Sequence, residues 1–342
     1  MAEVKNTLYG QSVIADEDFT ADQLNYLIDF AIRLKAQKVK GIFPPYLAHK
    51  NIAGIFMKPS TRTRSAFEIA AADCGAHFVY LDAQGSHIST SESIIDTAKV
   101  LGALYDGIEF RGYKQRDVED LAKYSGVPVW NGLTDTNHPT QMLADFMTVK
   151  ENFGHIKGIN LAYLGDGSDN VANSLLIGGA ILGVNVRIVS PKGYQPKAHS
   201  VKLANRFAKK SGSKIMITDN VKRGVKDANV IYTDVWLSMG VPESEITKRI
   251  HTMLPYQVNE KVMLETGHAS DGQLIFMHCL PSYHNMQTIN AQKIYEKYHL
   301  EPFEVTDSVF NNARYARQFQ EAGNRMHSIK AMMIATLNPK KF

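Results

Sequence analysis

Ser60-Thr61-Arg62-Thr63-Arg64 interleaves three hydroxyls with two guanidiniums in five consecutive positions. The apolar run 51–57 before it reads as a buried strand, and residues 65–72, after the Lys58-Pro59 break, read as a helix. The pentapeptide therefore occupies the first turn of a helix, with Ser60 as its N-cap. Unpaired N–H groups and the helix dipole already make that end positive, so two arginines there are unfavourable on their own. An anion in the turn, held by backbone N–H groups, hydroxyls and guanidinium forks, removes the conflict. The plainer alternative is a polar turn whose arginines point to water.

Other polar residues fall where strands are expected to end. Arg111 closes the run 108–111, and Asn131 closes 127–131. His138 and Gln141 open a helix spanning 138–150, with Pro139 at its favoured first position. Their spacing of three aims both side chains at the same space, although a capping His and an exposed Gln would also fit the pattern. The loop Leu164-Gly-Asp-Gly-Ser-Asp-Asn170 lies between a strand and a helix but lacks the third glycine of a dinucleotide loop. The strand after that helix ends in Ser190-Pro-Lys, with no acid for a ribose, so a polar loop presenting Asn170 to a small ligand is the better reading.

Asp234 begins Asp-Val-Trp-Leu-Ser-Met-Gly240 as a strand ends. Its carboxylate suits an ammonium group, and Ser238 with the following backbone suits a carboxylate; an ordinary turn is the alternative. His278-Cys279-Leu280-Pro281 closes the last expected strand. Cys279 is either a small buried residue or a functional group. His278, Cys279 and His284 do not have standard metal-ligand spacing. Asn324-Arg325 stands in the last helix, where Arg325 is a surface residue unless that helix folds back over a site.

These clusters must be positioned by an alternation of strand-like and helix-like segments along nearly the whole chain. Expected strands are 51–57, 77–81, 108–111 and 127–131, then 160–164, 185–190, 214–218, 230–233 and 274–278. Helices 92–105 and 116–124 intervene in the first series, 170–182 and 201–210 in the second, and an amphipathic helix near 319–337 closes the chain. The expected fold class is α/β, as two doubly wound parallel-sheet domains joined near residues 150–155, with ligands at strand C-terminal ends in the crevice between them.

Composition narrows the function class. The chain has 342 residues, enough for two domains with substantial cores. Its formal charge of +4 is mild and its basic residues are scattered, which favours a small anionic substrate over nucleic acid. Two cysteines, Cys74 and Cys279, form neither a disulfide framework nor a CxxC site. No apolar run reaches membrane-spanning length and no signal-peptide core follows Met1, so no membrane association and a reducing, cytoplasmic setting are expected.

Ser60-Thr-Arg-Thr-Arg64, His138-Pro-Thr-Gln141, Asp234-Val-Trp-Leu-Ser-Met-Gly240, His278-Cys-Leu-Pro281 and Asn324-Arg325, in that order and spacing, resemble the ornithine branch of the aspartate/ornithine carbamoyltransferase family. The first two motifs mark the wider family, and Ser-Met-Gly with His-Cys-Leu-Pro points to ornithine as acceptor. The resemblance implies a carbamoyl phosphate domain over residues 1–150, completed by helix 319–337, and an ornithine domain over 151–318. It implies a homotrimer, or an assembly of trimers, with active sites at subunit interfaces. Ser60, Thr61, Arg62 and Thr63 would bind phosphate; Arg111, His138 and Gln141 would contact the carbamoyl group, with Arg111 bridging to phosphate. His87 would reach into a neighbouring subunit's site. Asn170, Asp234, Ser238 and Met239 would hold the amino-acid end of ornithine, and Cys279, the Leu280 backbone and Arg325 would face the reacting centre. Arg111, His138, Cys279 and Arg325 are the expected catalytic residues. No metal, cofactor or covalent intermediate is required, and closure of the ornithine domain and its Ser-Met-Gly loop would exclude water.

Four positions depart from the family pattern. Met57, Ser308 and Gly323 stand where Glu is usual, and Asp169 stands where Asn is common. The loss of acids at 57 and 323 is expected to make the pocket more positive and to change carbamoyl phosphate affinity or closure. The alternatives to an ornithine enzyme are a carbamoyltransferase for another amine such as putrescine, a non-catalytic anion-binding paralogue, and, more distantly, a nicotinamide dehydrogenase. Asp234 and the Ser-Met-Gly loop argue against putrescine, which lacks the amino-acid end they would hold.

Overall fold

Two all-parallel sheets organise the chain, and the computed structural model describes residues 7–85, 87, 88, 90–237 and 241–340. The chain divides into two compact units, Met1–Met147 with Ala322–Phe342, and Thr148–Glu321.

The first unit runs α1 (Ala21–Val39), β1 (Asn51–Phe56), α2 (Thr61–Asp73), β2 (His77–Asp82), α3 (Ile94–Leu104), β3 (Gly107–Arg111), α4 (Gln115–Tyr124) and β4 (Val129–Leu133), and then enters α5 (Pro139–Phe153). Its sheet has the order β2-β1-β3-β4. The chain winds one way from β1 and the other way from β3, so the C-terminal ends of these two strands flank the topological switch point, where open α/β sheets bind ligands. The register places Phe56, which leads to the Ser60 turn, beside Arg111. β3 is buried at all five positions. Ile108 and Phe110 join Ala53 and Ile55 in one apolar cluster with Val118 and Leu121, so Glu109 and Arg111, which alternate with them, point to the opposite face.

β4 begins two residues later than the sequence suggests and runs two further. Pro128 has no N–H for the ladder and serves only as an acceptor, through its carbonyl, for Ile108. At the other end the register shifts between Phe110 and Arg111: Phe110 pairs with Asn131 and Arg111 with Leu133. Gly132 is the extra residue of this bulge.

The second unit contains β5 (Asn160–Leu164), α6 (Asn170–Leu182), β6 (Asn185–Val189), α7 (Ala198–Ser211), β7 (Ile215–Thr218), α8 (Val221–Val225), β8 (Val230–Thr233), α9 (Ile246–Met253), α10 (Glu260–Glu265), β9 (Ile275–His278), α11 (Ile289–Tyr298) and α12 (Asp307–Phe310), and leads into α13 (Gln318–Leu337). The strand order is β7-β6-β5-β8-β9, which sets a second switch point between β5 and β8. α6 is buried from Val171 to Leu182 and, apart from Asn173 and Ser174, has no polar side chain over that stretch; Gly183, at φ 82°, ends it in the left-handed conformation that glycine adopts without penalty.

Most of α13 belongs to the first unit. Trp130 Nε1 donates to Thr336 Oγ1 at 3.0 Å, Gly10 N to the Thr336 carbonyl at 2.9 Å, and Lys330 pairs with Asp73. Among the described residues no helix is long and apolar enough to cross a membrane.

Candidate active site

In the first unit the Ser60 turn is built as its residues require. Ser60 is the N-cap of α2, and its hydroxyl accepts from Thr63 N at 3.1 Å. Thr61 is exposed and Arg62 half-buried, whereas Thr63 is fully buried. Arg64 turns away: it pairs with Glu68 at 2.8 Å and lies 3.9 Å from the Tyr80 ring centroid. The guanidiniums that converge on the turn come instead from other elements. Arg111 Nη1, at the end of β3, donates to Thr63 Oγ1 at 3.2 Å, and Arg325 Nη2, on α13, donates to the same oxygen at 3.0 Å. Arg325 also reaches Thr140 Oγ1 at 3.4 Å.

Both arginines are at least nine-tenths buried. Two guanidiniums within reach of one hydroxyl repel each other in a poorly screened environment, and an anion bound between them relieves that repulsion. His138 and Gln141 stand at the start of α5, both buried. Burial first, then the charges of Arg325, Arg111 and Arg62, hold His138 well below the ordinary imidazole value, so its ring is neutral. Gln141 Nε2 is anchored to Asp145 Oδ1 at 2.8 Å. His87 is exposed on the β2–α3 loop, and among the described residues its side chain makes no hydrogen bond to this cluster.

The second unit carries an acidic cluster at its own switch point. Asp169 caps α6, accepting from Val171 N at 3.0 Å, and Asn170 opens the helix half-exposed. Asp166 accepts from Ser168 N at 2.9 Å and pairs with Arg249 of α9, which also donates to the Trp236 carbonyl. One arginine thus ties the loop after β5 to the loop after β8. Burial, then the charge of Asp234, pushes the Asp169 carboxyl up to about 7. Burial also raises Asp234. A site that strains its own carboxylates upward gains from a cationic ligand. Ser238 and Met239 lie outside the described residues.

The His278-Cys-Leu-Pro281 turn is held by two fully buried acids. His278 Nδ1 accepts from Leu280 N at 2.9 Å, so the ring proton sits on Nε2, which faces Glu304 Oε1 at 3.1 Å. The same Glu304 oxygen accepts from Ser282 Oγ and Tyr283 N, each at 2.7 Å. Glu321 accepts from His278 N at 3.0 Å and from Tyr232 Oη at 2.9 Å. Cys279 sits with Asp234 and His278, their donor atoms within 4.8 Å of one another. Both nitrogens of His278 are already engaged, so a metal there would have to break this network. His284 is elsewhere, hydrogen-bonded to Asp307 at 2.6 Å and stacked on Phe310. Burial, with Asp234 and Glu321, pushes the Cys279 thiol well up, which keeps it protonated.

Comparison with known proteins finds a family model for each half of the chain. Residues 11–151 match the carbamoyl-P binding domain of aspartate/ornithine carbamoyltransferase, and residues 157–336 match its Asp/Orn binding domain. The chain belongs to the aspartate/ornithine carbamoyltransferase family. It is 56% identical to a catabolic ornithine carbamoyltransferase of Lactococcus lactis over 336 residues, covering 98% of this chain and 94% of that one. It is likewise 56% identical to a catabolic ornithine carbamoyltransferase of Enterococcus faecalis, covering 98% of both. Among solved structures, ornithine carbamoyltransferase from Pyrococcus furiosus superposes with a TM-score of 0.87 at 40% identity, over 98% of this chain and 99% of that one.

Set within the carbamoyltransferase family, the departures acquire physical context. Met57 packs against the apolar cluster of β1 and β3, and a side chain on Gly323 would meet open space. Ser308 Oγ lies 3.1 Å from Thr306 Oγ1 on the surface. Sequence reading missed Thr140, Arg249, Glu304 and Glu321. Each is a single polar residue that acquires meaning only when distant segments meet.

Proposed function

We propose that the chain transfers the carbamoyl group of carbamoyl phosphate to the δ-amine of L-ornithine, giving L-citrulline and phosphate, in a reversible reaction. The observation that carries this reading is the buried convergence of Arg111 and Arg325 on Thr63, beside a neutral His138. Ser60, Thr61, Arg62 and Thr63 bind the phosphate group, and Arg111, His138 and Gln141 address the carbamoyl group. Asn170 and Asp234, with Ser238 and Met239, hold the amino-acid end of ornithine. Cys279 and the Leu280 backbone line the place where the two substrates react.

The neutral δ-amine attacks the carbamoyl carbon; a C–N bond forms, the C–O bond to phosphate breaks, and phosphate leaves with the electron pair. The amine loses one proton, which the leaving phosphate can take. Negative charge grows on the carbonyl oxygen and on phosphate, where Arg111, Arg325 and Thr63 stabilise it. His138, being neutral, donates or accepts a hydrogen bond without adding a fourth positive charge. Binding both substrates supplies a further share of the rate by replacing a bimolecular encounter.

The relatives named catabolic support a physiological direction from citrulline toward carbamoyl phosphate, as in the arginine deiminase pathway. A homotrimer in the cytoplasm, with His87 contributed to a neighbouring subunit, completes the reading, and light scattering after size exclusion tests the trimer. Activity is tested by incubating purified chain with carbamoyl phosphate and either ornithine or putrescine, then measuring carbamoylated product and phosphate. Citrulline formation is expected; putrescine preference rejects ornithine as the acceptor, and no product with either rejects catalysis.

A further inference from the structure

Glu109 has no role in the chemistry described so far, yet it lies against the anion cluster. It is two residues from Arg111 on β3, and the period of two in a strand puts both side chains on one face. The register pairs it with Gly54 on β1 and Trp130 on β4. It is fully buried, and among the described residues neither carboxyl oxygen receives a hydrogen bond.

The bulge residue Gly132 makes this placement possible. A Cβ on Gly132 would overlap Glu109 Oε1 and stand 3.1 Å from Thr63 Cγ2. The carboxyl thus occupies the space that a side chain at 132 would fill, beside the threonine that both arginines contact. The charges bearing on it are Arg111, from its own strand, and Arg325, from α13. The facing residues of β1, α2 and β4 are Gly54, Thr63, Trp130 and Gly132, none of which titrates in the physiological range.

We propose that Glu109 is an internal competitor for the arginine pair: protonated, it leaves Arg111 and Arg325 to an incoming phosphate-bearing anion, and ionised, it neutralises them itself. Burial pushes its carboxyl well above the ordinary value, against the pull of the two arginines, which favours the protonated form. Anion and proton then bind with positive coupling. Affinity for the anion is set partly by a residue that never touches it, and Gly132 is fixed by the need to house that residue. The inference rests on the anion reading of the Thr63 cluster but not on the identity of the acceptor.

Calorimetric titration of the full chain with inorganic phosphate and with carbamoyl phosphate, across the pH range over which the chain stays folded, tests it. In the unsubstituted protein the affinity is expected to fall roughly five- to tenfold as Glu109 ionises. Glu109→Gln, isosteric and uncharged, is expected to hold its affinity over the same range. A pH slope identical in both proteins overturns the proposal. A second measurement needs no variant: at the alkaline end of that range, heats in two buffers of different ionisation enthalpy are expected to reveal proton uptake on binding, and its absence throughout the range overturns the proposal equally. If the unsubstituted chain binds neither anion at any pH, the anion reading itself fails, which is a distinct result.

Discussion

Arg325 donates to the hydroxyl of Thr63 at 3.0 Å although 262 positions separate them in sequence. That single oxygen also receives Arg111, so it fixes the spacing of two buried cations that would otherwise move apart. In the proposed reaction the hydroxyl is the template that spaces both guanidiniums around the phosphate.

Thr63→Val keeps the shape and removes the shared acceptor. Hydrogen bonds from charged donors contribute about 1.5–3 kcal/mol each, and the arginines lose their common anchor. The Michaelis constant for carbamoyl phosphate is expected to rise about tenfold or more, with the ornithine constant nearly unchanged. Steady-state kinetics check this, and a change below twofold for carbamoyl phosphate rejects the template role.

Glu304 gathers three donors on one oxygen and thereby sets the His278–Leu280 turn. Glu304→Ala leaves those donors buried without an acceptor and is expected to cost about 2–4 kcal/mol of stability by urea denaturation. Glu304→Gln, which still offers an acceptor oxygen, is expected to recover part of that loss. Its residual defect is expected in the ornithine constant rather than in the carbamoyl phosphate constant.

Asp169 gives a pH dependence of known sign. Its carboxyl is raised to about 7 in the folded chain, whereas an unfolded Asp titrates near 4. The stability it contributes is complete below about pH 4 and is lost as the pH rises through about 7. Asp169→Asn keeps the helix cap and cannot ionise. The variant is therefore expected to lose less stability between pH 5 and pH 8 than the unsubstituted protein, measured by urea midpoints at both pH values. Its ornithine constant is expected to rise at pH 8, where one negative charge is missing.

Both cysteines are expected to be slow toward thiol reagents. Burial pushes the Cys74 thiol up to about 12, and burial with Asp234 and Glu321 raises Cys279 well above the ordinary value. At pH 8 neither is appreciably ionised while the chain is folded. Ellman titration is expected to show little release in the first minute and two equivalents after denaturation. Prompt labelling of one thiol in the folded protein rejects this account of Cys279.

Much of the scaffold was legible because it follows from local pattern. β5, α6 and β8 begin and end where apolar runs meet Gly, Asp or Asn. β4 was displaced because two single residues, Pro128 and Gly132, decide its ladder in ways that apolar content does not show. The Ser60 turn, Arg111 and His138 announced themselves by position at expected strand and helix ends. Arg64 matched the same signal and instead pairs locally with Glu68. Glu109, Glu304 and Glu321 stayed silent because a lone acid carries no hint of which distant group will meet it. Asp169 was noticed only as a departure from pattern; the charge it bears at neutral pH depends on Asp234, which a strand 60 residues later delivers.

The terminal helix bears on how the protein is born. Arg325, Lys330 and Thr336 leave the ribosome long after Thr63, Asp73 and Trp130, to which they bind. Through most of translation the first unit lacks the plug that seals Trp130 and the second cation of its anion cluster. A nascent chain stalled before residue 325 has all four strands of the first sheet but only one of the two guanidiniums that share Thr63. Loss of the segment from Arg325 to Thr336 therefore leaves unfinished the half of the molecule that was made first.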